Sequence, residues 1–242
     1  MNTPLIHAPL RVAITGGTSG LGLALVEAFA ARGDAVAFVA RHGDAVATLA
    51  RRMKGCHGIV GDVAKKEDVH AIALQVGAAL GGLDVLVNNA SSLGPVPLAL
   101  LADTECEGFD AALATNLVGP FRLTKALLGL LAGAAREGAA VGTRPVVLNV
   151  SSDAAVTPYA GWGAYGASKA ALAHLSRIWN EELGPHGIAV VAVDPGDMDT
   201  PLHALAVPDA DPATLKRPGD AAREIVARID RERAAAGARD PA

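Results

Sequence analysis

Aromatic residues make up only 3% of the 242-residue chain. A core here cannot rest on large rings. Ala, Val and Leu must fill it instead, which suits thin β-layers packed against close helices. Cysteine is scarce as well. Cys56 and Cys106 lack metal-ligand spacing, and two thiols make no disulfide framework. Positive charge is not in excess, with 21 Lys and Arg against 25 Asp and Glu, a net charge of −4. The densest basic cluster, Arg51, Arg52 and Lys54, reads as a solvated helix face. No nucleic-acid footprint follows from such a balance. Long hydrophobic runs are missing too, and a stretch such as Ala126–Ala135 is too short to span a bilayer. The N-terminus has no basic segment followed by an apolar stretch, so no secretory signal is read. The expectation is a soluble cytoplasmic protein with no nucleic-acid partner, no membrane and no metal.

What the chain does have is apolar residues, 51% of the total, in a repeating order. Leu10–Thr15, Ala35–Ala40, Gly58–Gly61, Asp84–Asn88, Pro145–Val150 and Ile188–Val193 read as short buried strands. Between them Leu21–Arg32, Asp44–Lys54, Lys65–Leu80, Glu105–Arg136 and Gly163–Leu183 read as helices, the fourth bent near Gly119-Pro120. Continuous apolar runs mark strands covered on both faces, and strand–helix alternation at this rhythm marks βαβ units. Ser91–Asp103 and the Pro-studded Asp194–Lys216 read as loops. A last helix runs from Arg217 to about Arg231, and the small, polar tail 234–242 is expected to fray. The fold class is α/β: one Rossmann-like domain over residues 1–242, a doubly wound parallel sheet with helices on both faces.

Two motifs carry chemistry. Thr15–Gly22 follows the first strand and opens the first helix, with Gly16, Gly20 and Gly22 spaced G-x-x-x-G-x-G. Glycines there allow a tight turn and close approach of backbone to a pyrophosphate, which the helix N-terminus attracts. Tyr165 and Lys169 stand four apart, on one face of a helix, with Ser152 upstream. A free phenol, with a pKa of about 10, is a poor base at neutral pH. A nearby ammonium favours the phenolate, and a Tyr so tuned can exchange a proton with a substrate oxygen. Taken alone, Tyr-x-x-x-Lys is as well explained by a solvated helix face; its weight comes from the rest of the chain.

Together these residues resemble the short-chain dehydrogenases/reductases in their compact single-domain form, over about Leu10 to Ile229. Thr15–Gly22 is similar to the family's cofactor loop, which implies cofactor contacts from Gly16, Thr18, Ser19, Gly20, Leu21 and Gly22. Gly61-Asp62-Val63 resembles the adenine-contacting turn. Asn88-Asn89-Ala90 resembles the element after the fourth strand, although Ser91 replaces the usual Gly. Asp194-Pro195-Gly196 and the following Met198 and Thr200 fall where the family holds the nicotinamide. The resemblance implies Tyr165 as general acid and base, Lys169 as the residue that lowers its pKa and binds the nicotinamide ribose, and Ser152 as the holder of the substrate oxygen. It implies that Asn116 anchors a water linking Lys169 to solvent.

The residue eighteen beyond Gly22 is Ala40, followed by Arg41. An acid there would bind a ribose 2′-hydroxyl, whereas a guanidinium pairs with a 2′-phosphate. NADP(H) is therefore expected over NAD(H), in an oxidoreductase acting on a small-molecule carbonyl or alcohol. The alternative is a non-catalytic NADP(H)-binding regulatory or scaffold protein. The family's usual seventh strand has no counterpart after Ile229, so six strands are expected, with a homodimer through the long helices. Asp197 and Asp199 admit three readings: capping, solvent exposure, or selection of neutral or cationic substrates. The two loop segments around the expected pocket contain no aromatic residue, which points to a modest apolar pocket.

Overall fold

The computed structural model describes residues 9–235. Fourteen main elements are β1 (Arg11–Thr15), α1 (Gly20–Ala31), β2 (Ala35–Ala40), α2 (Gly43–Arg52), β3 (Cys56–Val60), α3 (Lys66–Leu80), β4 (Val85–Asn88), α4 (Cys106–Leu113), α5 (Gly119–Ala139), β5 (Val146–Val150), α6 (Gly163–Leu183), β6 (Ala189–Val193), α7 (Pro201–Ala206) and α8 (Pro218–Ala234). The expected fraying of the tail lies outside the described residues, apart from Ala234 at the end of α8 and Ala235 beside it.

Among the described residues the strands form one six-stranded sheet in the order β3-β2-β1-β4-β5-β6, and every neighbouring pair is parallel. The four inner strands are almost wholly buried because alternate residues face two different cores, while the edge strands β3 and β6 are partly exposed. Val12, Ile14, Val36, Phe38, Val85 and Val87 pack with Leu25 and Phe29 of α1 and with Ile225 and Ile229 of α8. Ala13, Ala37, Val39, Leu86 and Val147 pack with Ile72 and Val76 of α3 and with Leu123, Leu127 and Leu131 of α5. This two-sided covering is why the strands read as continuous apolar runs.

Three elements differ from the sequence reading. The irregularity expected at Gly119-Pro120 sits just before it, as a π-helical segment at Ala114–Val118 joining α4 to α5. Pro120 follows this segment inside one continuous helical run, so its missing N–H leaves a gap in the hydrogen-bond ladder next to the π segment. The segment 194–216 is not all loop. Thr200 caps α7 by accepting a hydrogen bond from His203 N at 3.2 Å, and Pro201 starts the helix. The third difference concerns length. The run Cys106–Ala139 is continuous enough, and apolar enough, to cross a membrane by length and composition alone. In the fold its apolar stripe lies on the sheet, with Leu123, Leu127 and Leu131 almost fully buried.

At the amino ends of the strands, Arg11 Nε donates to Asp84 Oδ2 at 2.9 Å and its Nη2 donates to Glu137 at 2.7 Å. Burial alone would push the Asp84 carboxyl up. The Arg11 hydrogen bonds outweigh it and hold that carboxyl below its ordinary value. The charged belt therefore lies at the end of the sheet away from the cleft described next.

Candidate active site

The strand order reverses between β1 and β4, so the loops leaving their carboxyl ends diverge and leave a crevice. The crevice is a cleft of about 440 Å³. It is lined by the ends of all six strands and by the segment carrying α7.

The β1–α1 turn forms one end. Gly16 has φ +69°, the left-handed region that favours glycine. Gly22 has no room for a side chain, since a Cβ would run into the Gly16 carbonyl and the Asn89 amide. Gly16 N donates to Val39 O at 2.8 Å. Asn89 Nδ2 donates to Thr15 O at 2.8 Å and to Gly16 O at 3.3 Å. Thr15 Oγ1 accepts from Asn89 N and Ala90 N, both at 3.0 Å. The Asn89 amide nitrogen thus clamps the glycine turn, and only its oxygen is left for a ligand. Ser19 begins α1 without a side-chain cap bond, and no acid occupies the first turn. The N–H groups of Gly20, Leu21 and Gly22 are left as donors for an anion. Thr18, Ser19 and the exposed Arg41 line the cleft beside them. This cradle, closed to any Cβ at Gly22 and uncapped at α1, fits a dinucleotide pyrophosphate.

Asp62 and Val63 line the wall after β3. Asp62 N donates to Asp68 Oδ2 at 2.9 Å, and Asp62 Oδ1 accepts from Ala64 N at 3.0 Å, which fixes that turn. On the β6 side, Pro195, Gly196, Met198 and Thr200 line the cleft. Asp197 and Asp199 do not cap α7. Their backbone groups pair with Lys216, whose N donates to Asp197 O and whose O accepts from Asp199 N, both at 3.0 Å. The Thr200 hydroxyl oxygen accepts from His203 N and so keeps its own proton for a ligand.

Ser152, Tyr165 and Lys169 meet at the other end. Lys169 is almost fully buried, its Nζ donating to Val150 O at 2.8 Å and standing 5.5 Å from the Tyr165 ring centroid. Burial pushes this amine down to about 8. Burial also governs the Tyr165 phenol and pushes it up. The Ser152 and Ser91 hydroxyls pull the other way, and the Asp194 and Asp153 carboxylates add to the rise. Desolvation dominates at the phenol, while the Lys169 amine is engaged with Val150 O. Ser152 Oγ donates to Asp153 Oδ1 at 2.9 Å and accepts from Ala154 N at 3.2 Å.

Asn116 does not line the cleft. It is fully buried in the π segment. Its Oδ1 accepts from Ser92 N at 2.8 Å and from Ser91 Oγ at 3.3 Å, and its Nδ2 donates to Ser92 O at 2.7 Å and to Ser168 Oγ at 2.9 Å. All four side-chain positions are used. In this arrangement the amide's partners are all protein groups.

Trp162 in the pocket, and Tyr159 outside its lining, were passed over by the sequence reading. Trp162 lies edge-on to Tyr165 with centroids 5.7 Å apart, and packs with Leu93, Leu202 and Ala206. Tyr159 donates to Asp153 Oδ2 at 2.7 Å and is the main reason the Asp153 carboxyl lies below its ordinary value. A signal existed. The chain has two Tyr and two Trp, and three of these four fall at 159, 162 and 165.

Comparison with known proteins agrees with this geometry. The family model for short chain dehydrogenase matches residues 11–211. An uncharacterized short-chain type dehydrogenase/reductase of Sinorhizobium fredii is 36% identical over 194 residues, 80% of this chain and 33% of that protein, so the chain spans about a third of its length. The 2-(R)-hydroxypropyl-CoM dehydrogenase of Xanthobacter autotrophicus is 34% identical over 200 residues, 79% of this chain and 76% of that one. Among solved structures, the 3-ketoacyl-(acyl-carrier-protein) reductase of Brucella melitensis complexed with NADH superposes with a TM-score of 0.80 at 30% identity, covering 89% of this chain and 88% of the other. A short chain dehydrogenase of Burkholderia cenocepacia in complex with NADP does so with a TM-score of 0.76 at 28% identity, covering 91% and 90%. The chain belongs to the short-chain dehydrogenases/reductases and is an oxidoreductase of that family.

Proposed function

We propose that the protein is an NADP(H)-dependent oxidoreductase acting between a carbonyl and a secondary alcohol, with Tyr165 as general acid and base. The observation that carries this reading is the meeting of Ser152, Tyr165 and Lys169 at one end of a cleft whose other end is the uncapped, glycine-lined start of α1. Gly16 and the first turn of α1 would hold the pyrophosphate, Asp62 and Val63 the adenine side, and Pro195, Gly196, Met198 and Thr200 the nicotinamide side. Arg41, with Thr18 and Ser19, would take a 2′-phosphate, since a guanidinium pairs with phosphate oxygens in a fixed fork. A nicotinamide dinucleotide bound there supplies or accepts the hydride.

The proton belongs to the chain's own residues. In the reducing direction Tyr165 Oη–H protonates the carbonyl oxygen and is left as phenolate. Burial keeps the phenol protonated at neutral pH, the form an acid needs. Lys169, still mostly charged at pH 7 with a pKa of about 8, offsets the phenolate charge. Ser152 Oγ–H donates to the same substrate oxygen, for which it must turn away from Asp153. Leu93, Trp162, Leu202 and Ala206 form the wall near Tyr165, so the substrate presents an apolar body there.

The cofactor half is tested by fluorescence titration of NADPH and NADH. The wild type is expected to bind NADPH about tenfold tighter or more, and Arg41→Asp to invert the order. Tighter NADH binding by the wild type would remove the assignment to NADP(H).

A further inference from the structure

Ser152 reaches a substrate oxygen only by giving up its bond to Asp153. A serine hydroxyl has one proton. That of Ser152 lies on Asp153 Oδ1 at 2.9 Å, while Ser152 Oγ accepts from Ala154 N at 3.2 Å. The other carboxylate oxygen, Asp153 Oδ2, accepts from the Tyr159 hydroxyl at 2.7 Å. Both oxygens of Asp153 therefore bind hydroxyls. No lysine, arginine or histidine among the described residues forms an ion pair with it. Asp153 also lines the cleft, together with Ser152 and Tyr165.

We propose that Asp153 selects the substrate: the cleft takes a vicinal hydroxy ketone and returns the vicinal diol, the substrate's own hydroxyl donating to Asp153 Oδ1 as Ser152 turns to the carbonyl oxygen. The inference rests on the reading of Ser152 and Tyr165 as the residues that meet that oxygen. One donor replaces another, so Oδ1 keeps a hydrogen bond throughout. The reach fits. Asp153 Oδ1 is one hydrogen bond from Ser152 Oγ, and the carbonyl oxygen would be another, so the two acceptors stand at most about 5–6 Å apart. A hydroxyl on the carbon next to the carbonyl covers part of that span, and its hydrogen bond covers the rest. This hydroxyl keeps its proton. The hydride and the Tyr165 proton still go to the carbonyl carbon and oxygen.

A plain ketone brings no such donor. It would leave Oδ1 without the Ser152 proton, and the loss of a charge-assisted bond is costly. The other polar groups of the cleft are engaged elsewhere. Lys169 donates to Val150 O at 2.8 Å. Asp194 Oδ1 accepts from Gly196 N at 2.9 Å, and His203 stands 3.8 Å from Asp197. The replacement donor therefore comes with the substrate. A carboxylate or phosphate in the same place would face Asp153 and Asp197 and be repelled, so the group beside the carbonyl is a neutral hydroxyl.

Three ketones on one phenyl frame test this: phenacyl alcohol, its methyl ether, and propiophenone. The ether keeps the oxygen but cannot donate. The wild type is expected to show kcat/KM at least about tenfold higher for phenacyl alcohol than for the other two. Asp153→Ala should lower the value for phenacyl alcohol and raise it for propiophenone, because Ser152 is released, so the preference disappears. Asp153→Asn keeps an acceptor without the charge and should retain part of it. Equal use of the alcohol and its ether by the wild type, or an undiminished preference in either variant, overturns the proposal. Calorimetric binding of the same ketones to the enzyme saturated with NADP+ or NAD+, whichever binds tighter, separates this from the catalytic reading. Tighter binding of phenacyl alcohol that is lost in Asp153→Ala, with no turnover of any ketone, would sustain the Asp153 site and remove the oxidoreductase assignment instead. Equal binding of all three by an enzyme without turnover would overturn both.

Discussion

Lys169 is held where its charge is unwelcome. Its amine sits almost out of contact with water, with Val150 O as its hydrogen-bond acceptor, and burial brings it from 10.5 to about 8. Folded protein therefore binds fewer protons than unfolded protein between pH 8 and 10.5. Stability rises with pH across that window, and the penalty, on the order of 3 kcal/mol, is fully present below pH 8. Lys169→Met removes the charge and also strands the Val150 carbonyl, which costs about 1 kcal/mol. The expected outcome is a ligand-free variant that melts above the wild type at pH 7, a gap that closes by about pH 10.5, and loss of turnover. Urea unfolding at several pH values checks it; a variant less stable than wild type at pH 7 would contradict the burial argument. At this scale the sequence was readable where spacing is local. Tyr165 and Lys169 lie one helical turn apart, and Ser152 stands two residues past β5. It was not readable where the partner is distant. Asn116 is saturated by Ser92 and Ser168, 24 and 52 positions away, and no spacing rule reports that. Ser91 was visible only as a departure from the family's Gly, without its contact to Asn116.

Among the elements, the β1–α1 turn is the least tolerant. A Cβ on Gly22 meets backbone and a clamped amide, neither of which can yield cheaply. Gly22→Ala should lower NADPH affinity more than tenfold and destabilise the fold by about 1–3 kcal/mol. Gly129 in α5 is the control. A Cβ there meets nothing within 4 Å, so Gly129→Ala should leave affinity unchanged and add up to about 1 kcal/mol through helix propensity. Calorimetric binding and thermal melting of both variants check this, and equal NADPH affinity in the two would contradict the cradle. Gly17, whose Cβ would press on Phe38 Cβ at 2.7 Å, escaped the spacing pattern because its constraint comes from β2 rather than from a ligand. Strands were legible because two-sided burial writes itself as apolar runs. The π segment and α7 were not. The first is a shift of hydrogen-bond register inside an ordinary helical pattern. The second is six residues long in a Pro-rich stretch, and only its Thr200 cap and Pro201 mark it.

For the molecule as a whole, strand order decides where chemistry occurs. The reversal between β1 and β4 gathers the glycine turn, Arg41, Ser152, Tyr165 and Lys169 from segments spread along the chain into one cleft. Helix assignment depends on the same assembly. Taken in isolation, Cys106–Ala139 passes for a membrane span; in the fold, its stripe of Leu123, Leu127 and Leu131 packs on the sheet. The account's central claim is that this cleft passes a proton through Tyr165 while a bound nicotinamide handles the hydride. The most direct test follows NADPH absorbance during reduction of a panel of apolar ketones by wild type and Tyr165→Phe, with NADPH affinity measured on both. The account predicts unchanged affinity and turnover lower by about 10²–10⁴-fold in Tyr165→Phe. Turnover equal to wild type in that variant would contradict it.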